Sequence, residues 1–352
     1  MSAPPPTDLR RSSLKHGVLK HDALKAVALG GGHGLYNTLT ALRYLTPAVT
    51  AVVTVADDGG SSGRLRRELD RIPPGDLRMA LAALMSAPAA LDDLAATDPA
   101  AAQRHSRWAA ILQHRFGGSG ALAGHPVGNL LLAGVDEYTD DLVGALDSLV
   151  ELFGIDGRVL PMATEPLVIE ADVTGLEEDP RLGRVIRGQV AVATTPGVVR
   201  RVRVTPPAPA PCREAVEAIR AADVVTLGPG SWFSSVIPHV LVPEQLAALR
   251  ETAARKILFV NLANEPGETT GFSVERHLHV LAAHADSLQV DDIVVDAPSV
   301  PAGREREHLE RTARQFGARL RVADLAVPGQ NVHDPLKSAV TVDRLLADSG
   351  ST

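Results

Sequence analysis

The chain has 352 residues, of which 45% are apolar, 22% charged and only 3% aromatic, with a net charge of −7 and an isoelectric point of about 5.9. That balance supplies a globular core for two domains or one large α/β unit, while the scarcity of Phe, Tyr and Trp and the acidic charge exclude base-stacking and polyanion-binding surfaces. The single Cys212 can build neither an internal disulfide nor a thiolate metal site, the pattern of a reduced compartment.

Residues 1–23 are rich in Pro and Ser with scattered Arg and Lys and read as a flexible N-terminal arm. They contain no apolar stretch of signal-peptide length, and no later run reaches the length of a spanning helix. A cytoplasmic protein without membrane insertion is expected. From Lys25 the text changes to KAVALGGGHG, a β-branched run ending in glycines, and then to the helical pattern LYNTLTALRYL. A second buried-strand signal, TAVVTVADD, runs into GGSSGRLRREL. Strand, Gly-rich turn, helix, strand is the opening of an α/β fold with a parallel sheet.

Next, RIPPGDLRMALAALM places two prolines before a helix with Asp76 as a candidate N-cap. HSRWAAILQHRF and the stretch from Asn129 to Phe153 also have helical spacing. Residues 158–204 alternate apolar and polar side chains between turn residues, which predicts an antiparallel subdomain. PPAPAP is a stiff connector. After it the alternating order returns: ADVVTL, KILFVN, DDIVVD and LRVADL read as strands separated by helices. The expected architecture is one Rossmann-like, doubly wound α/β domain over residues 24–352, mainly parallel, with a helical and antiparallel β insertion around 85–205.

Four loops fall where parallel strands end, the place where such folds bind ligands. Gly30–Gly34, with His33 inside it, lets backbone approach an anion at a helix start. It is neither the dinucleotide fingerprint nor a P-loop, since no third spaced glycine and no Gly-Lys-Ser/Thr follows. Asp57 and Asp58 could hold Mg²⁺ or ribose hydroxyls, with Gly59–Gly63 supplying donors and Arg64 supplying positive charge for a phosphate. Pro73–Arg78 fixes Asp76 and Arg78 at a bend, and Gly228-Pro229-Gly230-Ser231 could form a second anion cradle. Gly124–Asn129 and Glu265–Thr269 are further candidates. His277 and His284 share a helix face without a ligand motif around them, so packing is their expected role. Neither a nucleophile elbow nor a motif around Cys212 supports hydrolysis.

The ordered set GGGHGL, VTVADDGGSSGRLR, PPGDLR, QHRF, GHPVGNLLLA, VLPM, GPGSWFSSVIPHVLV and PGET resembles the YvcK-type gluconeogenesis factors, within the superfamily of 2-phospho-L-lactate transferases. The likeness spans roughly residues 25 to 345, and ADDGGSSGRLR and PPGDLR are its most specific segments. It implies a Rossmann-like core and a cytoplasmic, homo-oligomeric protein that binds a UDP-sugar, UDP-N-acetylglucosamine first, and links carbon metabolism to peptidoglycan synthesis and cell shape. The implied ligand cleft maps onto Gly31, Gly32, Gly34, Asp57, Asp58, Ser61, Ser62, Asp76, Arg78, Asn129 and Gly228, Pro229, Gly230 and Ser231. The family's Thr and Asn are replaced at His33 and Met79, which flank that cleft. No catalytic residue and no required cofactor follow from this reading. The competing reading is a transferase of a phosphorylated three-carbon acid, in which Asp57 and Asp58 would hold Mg²⁺.

Overall fold

The computed structural model describes residues 20–179, 182–263, 268, 269 and 271–349. The expected arm lies outside these apart from its last four residues. Those are docked: Lys20 pairs with Asp93, and His21 Nε2 lies 2.9 Å from Asp343.

A seven-stranded, wholly parallel sheet runs through the molecule in the order β10-β9-β8-β7-β1-β2-β3. The strands are β1 Ala26–Gly30, β2 Val49–Val53, β3 Arg158–Pro161, β7 Val224–Leu227, β8 Arg255–Phe259, β9 Asp292–Asp296 and β10 Arg319–Ala323. Every residue of β1, β7 and β9 is buried, because helices cover both faces and a parallel strand must then be apolar along its length. The chain lays β1, β2 and β3 outward in one direction and then returns to place β7 on the other flank of β1. Ala26 therefore faces Val49 on one side and Val224 on the other. The winding direction reverses between β1 and β7, the position where open α/β sheets leave a crevice at the strands' carboxyl ends.

Helix α1 (Gly32–Leu45) leaves β1 directly and is buried along most of its length between α3 (Gly75–Ser86) and the last helix, α13 (Pro335–Ser349). Helix α2 (Gly60–Leu69) follows β2. α4 (Pro88–Thr97), α5 (Pro99–Gln113), α6 (Val127–Thr139) and α7 (Leu142–Phe153) come between α3 and β3. Asp98 and Asp141 cap α5 and α7 by accepting from the N–H groups of Ala101 and Gly144. Among the described residues no single helix is long and apolar enough to cross a membrane.

The antiparallel unit is narrower than the sequence suggests. Residues 158–161 join the main sheet as β3, so the expected insertion is divided into a helical part before that strand and a β part after it. The β part is a three-stranded sheet, β5-β4-β6, of β4 (Val168–Thr174), β5 (Gly183–Arg187) and β6 (Val198–Thr205). In β4, Ile169, Ala171 and Val173 face inward while Glu170 and Asp172 alternate outward. The short helix α8 (Gln189–Ala193) closes this sheet onto the main body. The remaining helices are α9 (Arg213–Arg220), α10 (Pro243–Glu251), α11 (Val274–His284) and α12 (Arg304–Gln315). After β7 the chain makes a π-turn and a 3₁₀ turn rather than the regular helix expected there, and these bury Trp232 and Phe233 completely. His277 packs edge-on against Trp232, with ring centroids 5.0 Å apart.

Candidate functional site at the reversal point of the sheet

The loops after β1 and β7 meet backbone to backbone. A β-carbon on Gly34 would sit 2.1 Å from the carbonyl oxygen of Pro229, and one on Gly31 would sit 2.4 Å from Thr54 Cγ2 and 2.6 Å from Asp76 Oδ2. Only glycine permits either approach. Thr38 adds a bridge by donating to the carbonyl of Gly228 at 3.2 Å. Asn261, just beyond β8, clamps Gly230 from both sides: its Nδ2 donates to the Gly230 carbonyl and its Oδ1 accepts from the Gly230 N–H, each at 2.9 Å.

Above this floor lies a cavity of about 250 Å³ whose wall includes Gly31, Gly32, Gly34, Asp57, Asp76 and Gly230. Thr54, Ser231, Ser234, Ser235 and Gln189 add hydroxyl and amide groups. A second lobe of about 290 Å³ shares Gly34 and Gly230 and extends past Pro229 between His33, Asn37, Asn331 and His333. Burial pushes the His333 imidazole down to about 4, so it is neutral at physiological pH.

Asp57 and Asp76 carry the electrostatics of the first lobe. Burial, and next to it the charge of Asp57, pushes Asp76 up to about 7 against the opposing pull of the Gly32 N–H and Arg78. Asp57 is also raised by burial, although the Gly59 N–H at 2.9 Å and the Ser62 hydroxyl favour its ionised form. Arg78 is buried behind them, its pKa lowered to about 10 by burial and by Arg115. Its Nε has no hydrogen-bond partner among the described residues. Asn129 is buried beside the start of α2. Its Nδ2 donates to Ser61 at 3.1 Å, so the Ser61 proton is free to go to His125 Nδ1 at 2.7 Å. Ser62 is buried in the same cluster.

Four expected roles are altered by this geometry. Asp58 is turned away from the cavity, and its two carboxylate oxygens accept from the N–H groups of Gln189 and Val190 at 2.9 and 3.0 Å. It caps α8 and so fixes the small sheet against the loop after β2. The two carboxylates facing the cavity are therefore Asp57 and Asp76, not the adjacent pair. Arg64 is held by the carbonyls of Ala121 and Ala123 and does not line the crevice. The donors of the loop after β7 are taken by the protein itself: Glu268 accepts from the N–H groups of Phe233 at 2.7 Å and Ser234 at 3.2 Å and from the Ser231 hydroxyl. Asp76 sits in the first turn of α3 without capping it. Glu265–Gly267 lie outside the described residues.

The sequence reading passed over Thr54, Gln189, Ser234, Ser235, Asn37, Asn261 and His333. Asn261 had a signal, a polar residue immediately after a strand. Gln189 had none, because the fold brings it from the short helix that follows the small sheet's edge strand. Asp58→Ala is expected to cost about 1 kcal/mol, the usual loss of a helix cap, and to raise amide hydrogen exchange at residues 189–193 first. Exchange unchanged at those residues would return Asp58 to a ligand-facing role.

A family model described as 2-phospho-L-lactate transferase CofD matches residues 26–329. The chain belongs to the CofD family. A Mycobacterium tuberculosis protein is 64% identical over 322 residues, 91% of this chain and 90% of its own length. The gluconeogenesis factor of Bacillus subtilis is 35% identical over 290 residues, covering 82% of this chain and 84% of that protein. The fold matches a crystal structure of a UPF0052-family protein from Bacillus halodurans with a TM-score of 0.76 and 31% identity, over 92% of this chain and 99% of that one. Within the CofD family this chain thus sides by sequence with proteins named gluconeogenesis factors.

Proposed function

We propose that the chain is a cytoplasmic regulatory protein that binds a nucleoside diphosphate sugar, UDP-N-acetylglucosamine first, across the crevice between β1 and β7, and that it couples carbon supply to cell-wall synthesis and cell shape. The observation that carries this reading is the cavity itself, floored by glycines that admit no side chain and walled by small hydroxyl and amide groups. Such a wall offers hydrogen bonds to sugar and phosphate oxygens. Arg78, buried nearby with Asp57 and Asp76, offsets part of the negative charge that a diphosphate would bring.

A second reading is supported by the two carboxylates on the cavity wall. In a phosphoryl-type transferase, Asp57 and Asp76 would hold Mg²⁺, which when bound would supply charge neutralisation for the diphosphate donor and the nucleoside monophosphate that leaves it. The carboxylates are a hard oxygen pair suited to that ion, and burial raises the pKa of both, with the charge of Asp57 raising Asp76 further.

The two readings differ in metal dependence. UDP-N-acetylglucosamine at 100 times its dissociation constant is expected to stabilise the fold by about 2.7 kcal/mol, in EDTA as well as in Mg²⁺, and uridine or the free sugar far less. Thermal melting reads the first result, and chromatography after long incubation with Mg²⁺ should return the nucleotide sugar uncleaved. Equal stabilisation by the sugar alone would sink the nucleotide reading, and steady release of UDP, or of GMP from a lactyl-diphosphate donor with a deazaflavin acceptor, would decide for the transferase.

A further inference from the structure

Elsewhere in the fold arginines meet carboxylates, as Arg71 meets Asp136 and Asp140, and Arg203 meets Glu170 and Asp172. Three arginines that approach one another do not. Arg64 of α2, Arg78 of α3 and Arg115 of the loop before α6 form no ion pair among the described residues. Two of them meet at Gly124. Arg115 Nη1 donates to the Gly124 carbonyl at 2.8 Å, and a β-carbon on Gly124 would sit 3.8 Å from Arg64 Nη2. Arg78 reaches them beneath the first turn of α6, where a β-carbon on Gly128 would sit 2.8 Å from its Cγ. Burial, and then the charge of Arg115, lowers its pKa.

The groups around these arginines add to the same field. Ser61 donates to His125 Nδ1, so the neutral ring keeps its proton on Nε2, a donor without a partner among the described residues. Burial and next the charge of Arg64 hold the His125 pKa below its usual value, Arg115 adding to this and Glu68 opposing it. Helix α6 begins here behind Pro126, with no side-chain cap, and the positive end of its dipole points the same way. Gathering like charges is most costly at Arg78, which is only 5% exposed and makes no hydrogen bond among the described residues. A buried charge is ordinarily paired, and the fold brings this one no carboxylate.

We propose that Arg64, Arg78 and Arg115, with the Nε2 N–H of His125, bind the phosphate group of a small phosphate monoester. None of the four lines the crevice. Guanidinium forks match phosphate oxygens, and three forks arriving from three elements enclose a tetrahedral dianion better than a planar carboxylate. The outer side is open. Arg115 is exposed, and β-carbons on Gly117, Gly118 and Gly120 would meet nothing within 4 Å, so the organic part of an ester can remain in solvent. A nucleotide sugar carries no terminal phosphate, which makes the ligand of this site a second molecule, independent of the crevice's occupant.

Calorimetric titration with inorganic phosphate and with methyl phosphate, at an ionic strength held constant with chloride, tests the site. Both are expected to bind saturably, and acetate about tenfold or more weakly because it offers fewer oxygens and less charge to the forks. Arg115→Gln and Arg64→Gln should each weaken both phosphates by about tenfold or more, the loss of a charge-assisted hydrogen bond, in proteins whose circular dichroism matches the parent's. Arg104→Gln, at an exposed arginine of α5 paired with Asp98, should leave the affinity unchanged. Failure of both phosphates to bind overturns the proposal. So does binding that survives Arg115→Gln and Arg64→Gln, which would put the ion in the crevice, and so does an equal loss in Arg104→Gln, which would mark a general effect of charge. Acetate binding as tightly as phosphate, or inorganic phosphate binding without the methyl ester, would equally refute a phosphate-monoester site.

Discussion

Replacing Asp76 by asparagine should stabilise the protein at pH 8 and leave it nearly unchanged at pH 4. The carboxyl titrates at about 7 in the folded chain and at about 3.9 when unfolded. Between those values the native state keeps a proton that the unfolded chain has released. Stability therefore falls as pH rises from about 4 to about 7, and is flat above. Three pH units correspond to at most about 4 kcal/mol, which asparagine, having no proton to lose, would recover at high pH. Part of that gain is offset because Asp76 also opposes the buried charge of Arg78. Denaturant titrations of both proteins across this range give the answer, and parallel pH profiles would refute the placement of Asp76 in an enclosed, acid-lined cavity. The same variant bears on the two functional readings. A transferase would lose its stabilisation by Mg²⁺ at pH 8, whereas a regulator would keep its nucleotide-sugar affinity in EDTA.

The second large effect is at Gly34. Alanine there drives a β-carbon into the Pro229 carbonyl 2.1 Å away, and neither partner is a flexible side chain that could swing aside. Overpacking of this kind costs about 1–3 kcal/mol, and more where backbone must move. Gly34→Ala is expected to fall at or above the top of that range and to lower the melting temperature by several degrees. Gly32→Ala makes the control. Its β-carbon would meet nothing within 4 Å, but its φ of +55° carries the left-handed penalty of about 1–2 kcal/mol for an L-residue. A Gly34→Ala protein as stable as the Gly32→Ala protein would mean that the two loops do not touch as described.

The strands of the main sheet were readable because burial on both faces leaves an apolar run, as in AVALG and DIVVD, and turn-forming residues, glycines after the first and Pro298 after the second, mark where each run stops. Gly31, Gly34, Asp57 and Gly230 were readable for the same reason: in such a sheet a small or polar residue just past a strand already has an address; Asp76 was marked instead by the Pro-Pro-Gly bend that opens α3. β3 was not, since RVLP is four residues long and sits in a stretch that otherwise alternates. The fates of Asp58 and Glu268 were also beyond local reading. Asp58 binds backbone 131 residues away, and Glu268 fills a helix start 35 residues before it. Each has the composition of a ligand-binding carboxylate, and only the tertiary fold reveals that its ligand is the chain itself.

The backbone contact between Gly34 and Pro229 also limits how the crevice can respond to an occupant. With Thr38 tied to Gly228, the Gly228 N–H donating to Leu29 at 3.2 Å and Asn261 holding both polar groups of Gly230, the two flanks of the sheet are bolted together beneath the site. Hinge-bending there would break a contiguous set of bonds, so β1 and β7 cannot swing apart to admit a molecule or swing shut upon one. The floor is ordered before anything arrives, and a ligand seated on it gives up its own freedom without having to arrest the protein's.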